Sequence, residues 1–283
     1  MISVVMATYN GEKYIIEQLE SIMRQTVPVD EVIICDDMSK DNTVELIKEF
    51  VEENNLQSIV KLYVNTSNMG YIKNFYKGIK RTKGQLIFLS DQDDIWENNK
   101  VDRMLAVMNQ YKAEVLCSNF SIIDANGVAY TKSVRLPNFI CGALEGLSQI
   151  KFLPLLFGNV AQGCTYCFTE KVKKIYLKAN YGEIIHDYQI MLIGSALEKA
   201  FFLNEKLIRY RLHGNNNIGF SEEKSLKHVD FRIRIKKPKV AGFLDLIKND
   251  INIPHYYIAQ VILYFKIPVI KAIINRFFGR GCS

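Results

Sequence analysis

Cysteine, histidine, proline and tryptophan are all scarce in this chain of 283 residues, which holds 6, 4, 6 and 1 of them. The cysteines stand at positions 35, 117, 141, 164, 167 and 282. Cys164 and Cys167 form a C-x-x-C, but no second cysteine or histidine pair lies at zinc-finger spacing, which removes a zinc module. Met1-Ile2-Ser3-Val4-Val5 runs straight into a strand, with no basic leader or cleavage site. The cysteines are therefore expected reduced, in strands or core, in a cytoplasmic protein. Uncharged apolar runs are too few for a membrane span. Residues 256–265 are too short, and residues 152–169 are interrupted by Pro154, Gly158, Asn159, Gln162 and Gly163. A nicotinamide-dependent dehydrogenase needs G-x-G-x-x-G after its first strand, and that turn holds only Gly11. Internal repeats, low-complexity linkers and nucleic-acid motifs are missing too.

What is present is a chain with 48% hydrophobic and 23% charged residues, neither disordered nor fibrous. Its charge is unevenly divided. Residues 224–283 hold 12 Lys and Arg against 3 Asp and Glu, a net of +9, whereas the preceding 223 residues carry 24 against 27, a net of −3. This divides the chain into a body over 1–223 and a basic amphipathic helical tail over 224–283. The tail suits an anionic membrane surface, or else a helical pair packing on protein.

Apolar runs alternate with helical periodicity along the first 120 residues. Strands are predicted over 2–7, 31–35, 61–64, 85–90 and 115–120. Helices are predicted over 11–25, 41–53, 71–80 and 97–111, with Asp41 as a cap. Continuous Val/Ile-rich strands joined by helices imply an α/β fold, with a Rossmann-like, mostly parallel sheet covered on both faces. Residues 1–120 form a nucleotide-binding half and 121–223 an acceptor half. In the latter, 162–169 reads as a strand, 186–200 as a helix, and 201–203 and 206–211 as short strands.

The most informative segment is Asp91-Gln92-Asp93-Asp94, directly after the apolar run 86–90. Three carboxylates in four residues repel one another and resist burial. At the carboxyl end of a buried strand they face the crevice where open α/β sheets bind ligands, and a divalent cation carrying a diphosphate relieves the repulsion. Three other segments converge on that edge. They are Ala7-Thr8-Tyr9-Asn10-Gly11, a turn that lets backbone approach a ligand; Asp36-Asp37 after the second strand, suited to a nucleotide base or ribose; and His186-Asp187.

In order and spacing, A-T-Y-N-G, D-D-x-S-x-D-N-T and L-S-D-Q-D-D-x-W with Trp96 resemble the nucleotide-sugar glycosyltransferases of family 2, which have a GT-A fold. The match spans roughly residues 1–215, and D-Q-D-D-x-W is similar to bacterial rhamnosyltransferase-type members. The resemblance implies that Ala7, Thr8 and Tyr9 line the donor pocket and that Asp36 and Asp37 bind the nucleotide. Asp91 and Asp93 would hold Mg²⁺ or Mn²⁺, with His213 as a third metal or diphosphate contact. Asp91 and Asp94 would also meet the donor, and Asp187 would be the catalytic base of an inverting transfer.

The same residues admit plainer readings. Asp36-Asp37 and Asp187 fit helix caps and His213 a structural histidine, although the loop-like, polar Arg211 and Asn triplet flanking His213 favour a site. Lys100, Asp102 and Arg103 read as a solvated helix face, and Trp96 as packing beneath the acidic loop. No Q-x-x-R-W signature is present, which argues against a polymerising synthase. A sugar nucleotidyltransferase would want a Gly-rich basic opening loop that is missing. The partners implied are a nucleotide-sugar donor such as dTDP-rhamnose or a UDP-hexose, a saccharide or lipid-linked saccharide acceptor, and the inner face of the cell membrane, but no nucleic acid. The competing reading is a non-catalytic module that binds a nucleotide-sugar or a membrane surface.

Overall fold

Residues 2–8, Ile-Ser-Val-Val-Met-Ala-Thr, are rich in side chains that favour extended backbone and suit a strand covered on both sides. In the computed structural model, which describes residues 1–129, 146–156, 158–213 and 237–264, they form β1 (Ile2–Thr8). Then follow α1 (Ile15–Met23), β2 (Glu31–Asp36), α2 (Thr43–Glu53), β3 (Val60–Val64), α3 (Tyr71–Arg81), β4 (Leu86–Ser90), β5 (Ile95–Trp96) and α4 (Lys100–Tyr111). The second part contributes β6 (Val115–Ile123), β7 (Leu147–Gln149), α5 (Phe152–Leu155), β8 (Tyr166–Thr169), α6 (Glu170–Ala179), α7 (His186–Ala196) and β9 (Ala200–Arg211). Two more helices, α8 (Lys237–Ile247) and α9 (Tyr256–Tyr264), come from the basic tail.

The strands lie in the order β3-β2-β1-β4-β8-β6-β9-β5, with β7 also on β9. The first four are parallel, as the alternation predicts, and their register pairs Thr8 with Asp36 and Met6 with Ser90. The carboxyl ends that carry the motifs therefore reach one edge together. Beyond β4 the sheet is mixed: β8 runs antiparallel between β4 and β6, while β9 is parallel to β6. Alternate residues face opposite layers. Val5, Ile87 and Leu89 pack with α3, α6, α7 and α8. Val4, Met6 and Phe88 pack with α1, α2 and α4.

Several predicted boundaries move, each for a local reason. The helix expected over 186–200 stops at Ala196, because Glu198 takes a left-handed turn (φ 57°) and Ala200 pairs with Val115. The two short strands after it are one strand, β9, with register shifts opposite Asn119. The strand expected over 162–169 begins only at Tyr166, after a 3-10 turn at Gly163–Thr165. The helix expected from residue 97 starts at Lys100, since Ile95 and Trp96 pair with Arg209 and Ile208. Lys100 is a correction of substance. It is fully buried rather than solvated, its ammonium 4.7 Å from the Trp96 ring and 3.3 Å from the Cys164 carbonyl. Trp96 is buried under the acidic loop as expected. Cys35, Cys117, Cys164 and Cys167 are buried free thiols, and Cys141 and Cys282 lie outside the described residues.

In the described part of the tail, Val240, Phe243, Leu244 and Ile247 of α8 are fully buried and join the core cluster of α6 and α7. The boundary expected at 223–224 and the basic stretches 224–236 and 265–283 lie outside the described residues. Among the described residues no helix is long and apolar enough to cross a membrane. Phe243→Ala should cost about 3–5 kcal/mol, the range for emptying a buried aromatic site. Urea unfolding reads this directly; a loss below about 1 kcal/mol would mean that α8 does not share the core.

Candidate active site

The parallel strands end on a cleft of about 320 Å³ lined by Ala7, Thr8, Tyr9, Asp37, Tyr71, Phe75, Asp91, Asp93, Asn159, Gly163, His186, Asp187 and Tyr210, among others. Asp91 and Asp93 thus share a cavity with Asp187, which lies 94 residues beyond Asp93. The convergence has a topological cause. β1, β2 and β4 bring the first three motifs, the turn before β8 brings Gly163, and the start of α7 brings Asp187.

The first two motifs are sewn together. Thr8 Oγ1 donates to Asp36 (2.8 Å), whose carboxylate also accepts from the Ser39 amide and hydroxyl. Asn10 N donates to Ser39 Oγ, and Gly11 N to Thr43 Oγ1. Asp41 accepts from the Thr43 amide, but the N-cap residue of α2 is Asn42 and not the Asp41 expected from sequence, because the helix begins one residue later at Thr43. Asp37 accepts from the Asn65 side chain and from the Met69 and Gly70 amides (2.8–3.1 Å). Gly70 has φ +81°, a conformation that glycine adopts without strain. Asp37 therefore holds the 69–70 turn and also reaches the cleft, whereas Asp36 is fully buried and does not line it.

The acidic loop is braced from two sides. The Gln92 side chain accepts from Tyr9 N (2.8 Å) and donates to Tyr9 O (3.1 Å). A Cβ on Gly11 would stand 2.3 Å from Gln92 Oε1, so the space that glycine leaves is filled by this brace and not by a ligand. From below, Arg211 donates its main-chain N–H to Asp94 Oδ1 (3.0 Å) and its Nε to the Asp93 carbonyl (2.8 Å), and pairs with Glu17. Arg211 is 2% exposed at the end of β9, where the strand expected over 206–211 also ends. His213 meets Asp93, with 2.8 Å between Nε2 and Oδ2, and its ring lies 5.0 Å from that of Tyr14. Asp94 is fully buried behind the cleft wall. Ligand atoms of Asp91, Asp94 and Cys164 lie within 4.8 Å of one another.

Burial sets the electrostatics. Desolvation, then the neighbouring Asp93 and Asp187 charges, push Asp91 up to about 7. Asp94 is raised well above the carboxylate range by burial and by Asp93 and Asp91. Asp187 is also pushed up to about 7, chiefly by burial, with the Tyr188 amide, Asn159 and Gly163 pulling the other way. Its Oδ1 accepts from Tyr188 N at 2.7 Å in the first turn of α7. His186, stacked on Phe75 at 4.1 Å, is driven down to about 3 by burial and stays neutral.

A family model described as glycosyl transferase family 2 matches residues 3–174. The chain belongs to this family. Over 98% of its length it is 27% identical to a dTDP-rhamnosyl transferase, RfbG, of Shigella flexneri, covering 89% of that protein. It is 26% identical to a teichuronic acid biosynthesis glycosyltransferase, TuaG, of Bacillus subtilis, over 83% of this chain and 87% of the relative. Among solved structures it resembles S. aureus TarS in complex with UDP, with a TM-score of 0.63 at 18% identity, covering 99% of this chain and 72% of that one. The fold is GT-A, and the protein is a glycosyltransferase.

Of the residues expected in this family 2 site, Ala7, Thr8, Tyr9, Asp37, Asp91, Asp93 and Asp187 line one cleft. His213 joins it through Asp93, and Asp36 and Asp94 stand behind it. The sequence reading missed Gln92 and Arg211, which act through backbone contacts that residue type alone does not reveal. Gln92→Ala removes two hydrogen bonds and should cost about 2 kcal/mol, at roughly 1 kcal/mol each. It should also raise KM for the donor, because Tyr9 loses its tether. Thermal unfolding and initial rates check both, and unchanged KM would remove Gln92 from the positioning of the cleft.

Proposed function

We propose that this family 2 glycosyltransferase, a nucleotide-sugar transferase of polysaccharide synthesis, works by a divalent-cation-dependent, inverting single displacement with Asp187 as base. The observation that carries the reading is the shared cleft, where one buried carboxylate on α7 faces the acidic loop after β4. The donor set suits a hard cation: carboxylates of Asp91 and Asp93 and the His213 imidazole supply oxygen and nitrogen donors, and a counter-charge would relieve Asp91, pushed up by burial and then by the Asp93 and Asp187 charges. Asp91 and Asp93, with His213, would hold Mg²⁺ or Mn²⁺. When bound, the ion would stabilise negative charge on the departing nucleoside diphosphate.

The chain's own residues account for the remaining steps. Ala7, Thr8, Tyr9 and Asp37 bound the nucleotide end, with Asp37 held rigid by the 69–70 amides. At the opposite wall, Asp187 accepts the proton of an acceptor hydroxyl as that oxygen attacks the anomeric carbon. Base assistance of this kind contributes about 10²–10⁴-fold. Burial that raises Asp187 to about 7 makes it a stronger base, and Phe75 and His186 beside it keep the site dry and free of competing positive charge. The donor we favour is dTDP-rhamnose, in keeping with the rhamnosyl transferase relative, then a UDP-hexose. The acceptor is a saccharide or lipid-linked saccharide at the inner membrane face, where the basic residues over 224–283 would meet anionic lipid.

Asp187→Asn should lower transfer by at least about 10²-fold while donor affinity stays within a few fold. Asp93→Ala should remove Mn²⁺-dependent donor binding, read by calorimetry with and without the ion. Full turnover by Asp187→Asn sinks the base assignment, and unchanged affinity in Asp93→Ala removes that residue from the cation. A donor panel followed by release of nucleoside diphosphate identifies the sugar. Indifference to every donor and to Mn²⁺ favours the non-catalytic module instead.

The pH dependence follows from the raised carboxylates. Asp91 and Asp187 hold their protons more tightly folded than unfolded, so the folded state is favoured below about 4 and loses that advantage as pH rises through about 7. Cation-free protein should therefore melt lower at about pH 8 than at about pH 5, and Mn²⁺ should restore more stability at the higher pH. Transfer itself should rise as Asp187 ionises. A melting temperature that is flat across this range contradicts the assignment.

A further inference from the structure

Helix α3 has two working faces. Tyr71, Asn74 and Phe75 look into the donor cleft, whereas Lys73, Tyr76, Lys77, Lys80 and Arg81 line a separate groove against α6. The groove takes Tyr176 from α6 and Tyr181 from the turn after it, and no acidic residue lines it. Helix α3 itself carries no Asp or Glu. Lys73 and Lys80 are exposed and have no hydrogen-bond or ion-pair partner among the described residues. Lys77 reaches Asn65 at 3.0 Å, and Arg81 stacks 4.5 Å over the Tyr63 ring. Glu183, just beyond the groove, is paired with Lys239. Among the described residues the groove thus has a tyrosine floor and a cationic rim with no acidic side chain lining it.

We propose that this α3–α6 groove seats the phosphate headgroups of an anionic lipid surface. The inference rests on reading the protein as a transferase that works at a membrane, and adds where the docking occurs. Charge complementarity argues for it, since helical spacing puts residues 73, 77, 80 and 81 on one side, where a layer of phosphates can be met at once. The aromatic floor fits the polar–apolar boundary of a bilayer, where tyrosine rings gather. The groove also adjoins the helical pair. Tyr181 packs on Phe243 of α8 with ring centroids 5.9 Å apart, and beyond it Leu246, Tyr257, Ile258 and Val261 are 47, 83, 48 and 47% exposed. Cations and exposed apolar side chains in adjoining elements are the two components of interfacial binding. A nucleotide donor does not need these cations, because its cleft lies across the helix.

Flotation of the full chain with phosphatidylcholine vesicles, with and without phosphatidylglycerol, tests the proposal. The wild type should bind only the anionic vesicles. Lys73→Gln/Lys80→Gln should weaken that binding by roughly 25-fold, at about fivefold for each cation removed near the surface. Hydrolysis of the donor in vesicle-free solution should not change in this variant. That assay also reports on the transferase reading separately, since an inactive wild type that still binds vesicles fails one and not the other. Wild-type affinity in the variant overturns the proposal, most plainly if Lys271→Gln/Arg276→Gln alone abolishes binding. Full competition by free inorganic phosphate would indicate a soluble-anion site. Equal loss of affinity for an RNA oligomer and none for vesicles would indicate nucleic acid. Either result overturns lipid docking.

Discussion

Three carboxylates, Asp91, Asp93 and Asp187, line one cleft with Asp94 buried behind its wall, held together against burial and mutual repulsion, and the rest of the site is arranged around keeping them there. Two buried cations lie beneath them. Arg211 fastens the loop through the Asp93 carbonyl and the Asp94 carboxylate, and Lys100 sits under it against Trp96 and the Cys164 carbonyl. Burial lowers Lys100 to about 8, and Asp94 is among the charges opposing that shift. A buried cation without acids nearby, or buried acids without cations, would each be strongly unfavourable. The loop and its support are therefore one electrostatic unit, and its outward charge remains available to a cation and a diphosphate.

The geometry of that unit depends on where the sheet stops being parallel. β1, β2 and β4 deliver their motifs to one edge by register alone. β8, inserted antiparallel beside β4, enters from the turn that contains Gly163 and Cys164, so those residues abut the acidic loop. β9 then returns beside β6 and ends at Arg211 below the loop. The wall with Ala7, Thr8, Tyr9 and Asp37 comes from the parallel half, and Gly163 and Asp187 come from the mixed half.

How much of this was legible follows from the kind of signal each feature leaves. β1, β2 and β4 were readable because buried parallel strands are continuous apolar runs, and the acidic loop because three adjacent carboxylates resist burial. α7 was readable as a helix but not in extent. All eleven of its residues are buried, so no polar face marks its end. Lys100 reads as solvated from sequence because a charge ordinarily seeks water, and only the tertiary fold places Trp96 and Cys164 around it. Gln92 left no trace, since its partner is the backbone of residue 9, and backbone has no residue type to read.

The charge division seen in the sequence also proves too coarse. Residues 1–223 carry a net of −3, yet α3 within them is wholly basic among its charged residues. One helix therefore separates an acidic cleft from a cationic groove. A helix with its side chains is about 10–12 Å across, and the screening length at physiological salt is about 8 Å. Through solvent the two fields are largely screened from each other, so the groove can meet anions without filling the cleft with them. Through the protein they are not separate: Met69, which lines the groove, gives its amide to Asp37, which lines the cleft. An anion bound along α3 would thus act on the turn that holds Asp37 at the cleft.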